Sequence, residues 1–69
     1  MTELRMRRLL DEMDDKLVEL RSEYERRFED LPVNRFGEVI ASAVLDLNAW
    51  HIREENRIKG EFIKAVTNA

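Results

Sequence analysis

The chain has 69 residues, with 12 Lys or Arg, 15 Asp or Glu, one His, no Cys and a net charge of −3. That excludes disulfides, thiolate metal sites, cysteine nucleophiles and any zinc site built from several histidines of one chain. The acidic balance argues against a generic nucleic-acid binder, which carries a basic excess or a basic face.

A chain this short buries only about 60% of its unfolded surface, so a single folded copy is marginal. With disulfides and a multi-histidine metal site excluded, oligomerisation is the remaining compensation. The opening MTELRMRRLL sets only two leucines between its arginines and Asp11, too few for the apolar region of a signal peptide. No run approaches eighteen uncharged apolar residues, so no membrane association is expected. The absence of export signals and cysteines leads to the expectation of a cytoplasmic protein.

The first expected element is a helix over about residues 2–30. Met6, Leu10, Met13, Leu17, Leu20, Tyr24 and Leu31 follow alternating four- and three-residue steps, with Phe28 one place off, which makes a heptad-like stripe. Thr2 can begin it, although Arg5 occupies the capping-box position. Glu12 with Lys16 and Glu23 with Arg27 are i,i+4 pairs on the polar side, each contributing about 0.2–0.5 kcal/mol.

Leu31-Pro32-Val33-Asn34 is the strong break, because proline lacks a backbone donor and disfavours helix in the residue before it. A second helix is expected over about residues 35–66, with Asn34 as its N-cap. Its stripe is Ile40, Val44, Leu47, His51, Glu54, Ile58, Phe62 and Ala65 or Val66. Gly60 is read as a kink or early end, since glycine costs about 1 kcal/mol in a helix interior. A short connection makes antiparallel neighbours. The single domain, residues 1–69, is therefore expected to be an all-α antiparallel hairpin. Folding about residue 32 sets Phe28 near Phe36, Tyr24 near Ile40, Leu20 near Val44 and Leu17 near Leu47.

The segment VIASAVLDLNAW, Val39 to Trp50, carries one charge in a chain that is 39% charged. A helix apolar nearly all round is buried on more than one side. The first helix covers one side. A second copy is the simplest cover for the other, and a two-fold pair of hairpins makes a four-helix bundle. The expected assembly residues are Val39, Ala43, Leu45, Leu47, Ala49 and Trp50. The expected state is a homodimer, with another protein as the alternative partner.

His51 and Glu54, three apart on the stripe, are read as a polar layer that fixes register at the seam. Carboxylates and histidines facing into a bundle also build di-metal sites, with Asp11, Glu12, Asp14 and Asp15 expected at the same level. Those sites use Glu-x-x-His, whereas Asn48 stands three before His51. No metal or other cofactor is expected. Tyr24, Phe28 and Phe36 are read as a core plug at the turn. Arg5, Arg7, Arg8, Arg26, Arg27 and Arg35 are interleaved with acids, so a salt-bridged surface is expected and nucleic acid is not the expected partner.

The run MRRLLDEMDDKLVELRSEYERR resembles the first helix of the all-helical chorismate mutases. Met6, Arg7, Leu10, Asp11, Met13, Asp14, Leu17 and Leu20 fall in step with that family's Leu-Arg-x-x-Ile-Asp-x-Ile-Asp-x-x-Leu-x-x-Leu pattern. The resemblance implies an enzyme in which Arg7 contacts a substrate carboxylate. It stops after about a third of the chain. Tyr24 stands where the next arginine belongs, no lysine follows before Pro32, and the third helix is missing. The converging cations that a dianionic substrate needs are therefore not assembled.

No Ser-His-Asp set or glycine-rich phosphate loop is present. The expectation is a small non-catalytic helical protein acting through protein–protein contact, in an accessory, adaptor or regulatory role. The alternatives are a helical-bundle enzyme or metal protein around Arg7, Asp14, His51 and Glu54, and a nucleic-acid-associated regulator using the arginines of a dimer.

Overall fold

Two helices of equal length account for most of the chain, α1 (Glu3–Glu29) and α2 (Ala41–Thr67). The structure, a computed structural model, describes Thr2 to Asn68. The helices pack against each other as an antiparallel hairpin 56 × 16 × 9 Å in extent. Among the described residues no helix is long and apolar enough to cross a membrane.

α1 begins as its sequence suggests. The Thr2 hydroxyl accepts the Arg5 backbone N–H at 3.2 Å, satisfying one of the four donors a helix start leaves open. Glu23 receives Arg27 at 2.9 Å and also pairs with Arg26. Lys16 does not pair with Glu12. Its ammonium reaches across to Glu61 on α2 at 3.4 Å.

The connection differs from expectation. α2 starts at Ala41, so Asn34 is not its N-cap. The Asn34 carboxamide oxygen accepts the N–H groups of Phe36 and Glu38 at 2.8 and 3.0 Å, curling the chain back on itself. Gly37 donates to the Asn34 carbonyl and takes a φ of 79°, a left-handed conformation that ends any helix and favours glycine. Val33 and Val39 then face each other in an isolated antiparallel bridge. A tight turn closed by a left-handed glycine is a common three-residue hairpin connection. It occupies residues that were expected to be helical.

This loop moves the register. Tyr24 faces His51, with ring centroids 4.8 Å apart, and not Ile40. The shift along α2 is eleven residues, about three helical turns. Gly60 neither kinks nor ends α2, which runs on to Thr67.

The core is thin. Leu20, Leu47 and Ile58 are buried, and half-buried Leu9, Met13, Leu17, Phe62 and Ala65 extend the seam toward the open end. Leu9 takes the place expected for Leu10, which is exposed. Phe28 and Phe36 are exposed too, so no aromatic plug fills the turn. Phe36 lies instead under the Arg35 guanidinium, 4.9 Å from the ring centroid.

Candidate protein-contact surface and polar layer

Two rows of polar side chains border the buried leucine and isoleucine groups. On one side the Tyr24 hydroxyl donates to the Asn48 carboxamide oxygen at 2.7 Å. The Tyr24 ring meets His51 edge-on. His51 Nδ1 stands 3.9 Å from Glu55, and Glu55 accepts from the Lys59 ammonium at 2.7 Å. The Lys59 hydrogen bond and charge hold the Glu55 carboxyl below its usual 4.5, with His51 adding a smaller pull the same way.

On the other side Arg57 joins Glu54 at 2.9 Å and Glu61 at 2.8 Å, and Glu61 also accepts from Lys16. Hydrogen bonds from Lys16 and Arg57 lower the Glu61 carboxyl, and Glu54 foremost raises Arg57. Nearer the turn the Arg27 guanidinium sits 3.9 Å over the Trp50 ring while Glu23 holds its Nε. A cation over an indole face is attracted by the ring quadrupole.

His51 and Glu54 are thus both half-buried at the seam, where a polar layer was expected, and each is tied to neighbours on its own helix. Tyr24, whose ring meets His51, was expected three turns away. The acids Asp11 to Asp15 are not level with His51. Lys16 is already opposite Glu61, so those acids lie farther toward the end of α2. Among the described residues no group of three or more His, Asp or Glu is arranged to hold a metal ion.

Arg7 is exposed on α1, 3.8 Å from Glu3. It stands about 30 Å of helix away from Arg26 and Arg27, which Glu23 engages. Among the described residues Arg7 is paired with Glu3 alone, and Asp14 is likewise exposed on the helix surface.

The expected assembly residues divide into two groups. Leu47 lies in the seam inside the hairpin, and Ala43 and Trp50 are half-buried beside it. Val39, Leu45 and Ala49 are exposed. The sequence reading missed Ile52 and Ile63, which are 56% and 62% exposed. Their signal was legible. Leu45, Ala49, Ile52, Asn56, Lys59 and Ile63 repeat in alternating four- and three-residue steps, a second heptad-like stripe on the side of α2 turned from α1, with Lys59 at its edge beside Glu55.

No family model, curated protein or solved structure matches the chain.

Proposed function

We propose that the hairpin acts through protein–protein contact, as a self-associating accessory, adaptor or regulatory protein without catalysis of its own. One observation carries this reading. α2 is apolar on two opposite faces, and α1 covers only the one that holds Leu47 and Ile58. Leu45, Ile52 and Ile63 remain 68%, 56% and 62% exposed on the other. Leu45, Ala49 and Ile52 form an exposed apolar run flanked by charge, and apolar surface of this kind marks contact sites. Pairing through it brings two hairpins together as a four-helix homodimer.

Sedimentation equilibrium from micromolar to millimolar chain tests the reading, on the wild type and on Ile52→Glu. The expected result is a wild-type dimer and a monomeric variant with unchanged far-UV helix signal. A wild type that stays monomeric throughout refutes self-association.

A further inference from the structure

Resting on that reading of self-association, we infer that the second copy packs α2 against α2 in antiparallel orientation, with the two-fold axis level with Trp50 and His51. The seam is Leu45, Ala49, Ile52, Asn56 and Ile63. The α1 helices lie outside, so the four helices form a flat layer and not a closed bundle.

Area is the first argument. The chain exposes 5623 Å² at a mass of 8.2 kDa. A folded monomer of that mass exposes about 4,500 Å² by surface scaling. The excess, about 1,100 Å², is spread over a hairpin 56 × 16 × 9 Å in extent and leaves room for the ~800 Å² per partner that a standard stable interface covers.

Charge selects the direction. In a parallel pair each heptad position meets its own copy, so Lys59 would face Lys59 within the seam. In the antiparallel pair centred between residues 50 and 51, Lys59 instead falls opposite Ser42 at the seam's end. Asp46 and Arg53 lie seven apart along one edge of the outer face, both exposed. Among the described residues neither has an ion partner within the chain. The antiparallel pairing sets Asp46 of each copy beside Arg53 of the other, twice per dimer. Edge charges of this kind fix partner orientation in helical pairs.

Shape completes the match. In this register Ala49 faces Ile52 of the second copy, and Leu45 faces Asn56. Ile63 reaches the second copy's exposed Val39 and Ile40. Gly60, on the same edge as Asp46 and Arg53, falls level with the small Ser42 of the second copy. Inside the hairpin a Cβ at Gly60 would meet nothing within 4 Å, so the fold of one chain gives no reason for a glycine in mid-helix. Close approach of a second backbone does. Trp50, under Arg27, is not part of this seam.

Charge reversal tests the register. Sedimentation equilibrium is run on the full chain as wild type, D46K, R53E, the D46K/R53E double variant, and an equimolar mixture of the two single variants. Each single reversal is expected to weaken the dimer tenfold or more, with helix content by circular dichroism unchanged. The double variant, and the mixture through a heterodimer, are expected to regain wild-type affinity. A nitroxide on Lys64→Cys is expected to give a distance of about 40 Å by pulsed electron resonance, since 27 residues at 1.5 Å separate the two copies along the axis. A dimer whose affinity ignores the reversals, or whose labels lie within about 15 Å, overturns the antiparallel seam while self-association stands. A wild type that is monomeric at every concentration overturns both.

Discussion

Replacing Gly60 by alanine should make the isolated hairpin more stable. Glycine is about 1 kcal/mol less favourable than alanine in a helix interior. Part of that difference is the wider freedom of glycine in the unfolded chain. The usual objection, that the glycine makes room for something, fails within one chain, because the added methyl meets no atom within 4 Å. The backbone at this position is part of an uninterrupted helix from Ala41 to Thr67, so no strain opposes the change. For a domain of 60–100 residues, 1 kcal/mol corresponds to about 4–8 °C in Tm. The measurement is thermal unfolding followed at 222 nm, at a dilution where sedimentation gives a single chain. An unchanged or lower Tm for Gly60→Ala there would refute the reasoning and return Gly60 to the role of a required kink. As concentration rises, the gain should shrink, because the new methyl then stands against Ser42 of the second copy.

Ile58 is 4% exposed, the most buried residue of the core. Ile58→Ala should cost about 2–5 kcal/mol, a large share of the stability of so small a chain, and should abolish or sharply lower the urea midpoint. The equivalent change at exposed Ile63 should leave the midpoint of the dilute hairpin in place, and comparable losses at both sites would contradict the assigned seam. Tyr24→Phe removes the 2.7 Å bond to Asn48. A loss of about 0.5–1.5 kcal/mol in urea unfolding is expected, and no loss would mean the hydroxyl is satisfied by water equally well. Glu55 and Glu61 have carboxyl pKa values lowered below 4.5 by Lys59, and by Lys16 and Arg57. Their contribution is complete above the usual carboxyl range and disappears as pH falls through the lowered values. The melting temperature should therefore fall on acidification below about 4.5, and the fall should be smaller in Glu61→Gln. A Tm that rises with acid would contradict the pairing.

The all-helical class, the two helices and their antiparallel packing were legible, because Met6, Met13, Leu17 and Leu20 and then Leu47, His51, Ile58 and Phe62 repeat at helical spacing. Thr2 was legible as a cap for the same local reason. The loop was misread because Asn34 serves two purposes equally well in a sequence. Its side chain can cap a helix or close a turn. Gly37, three residues on, decided for the turn, since its left-handed φ has no place in a helix.

Everything that depended on register followed from that loop. The sequence by itself determined the middle of the face each helix turns to its neighbour, Met13, Leu17 and Leu20 against Leu47, Ile58 and Phe62, because 3.6 residues per turn sorts apolar from charged positions without reference to any other part of the chain. The tertiary structure alone decided which residues meet. Moving the fold point along the chain slides one helix about three turns along the other without changing either stripe. So Tyr24 found Asn48 and His51, Lys16 found Glu61, and Arg27 found Trp50. Leu45, Ile52 and Ile63 stay outside in any register, because α1 is a single helix and covers only one side of α2.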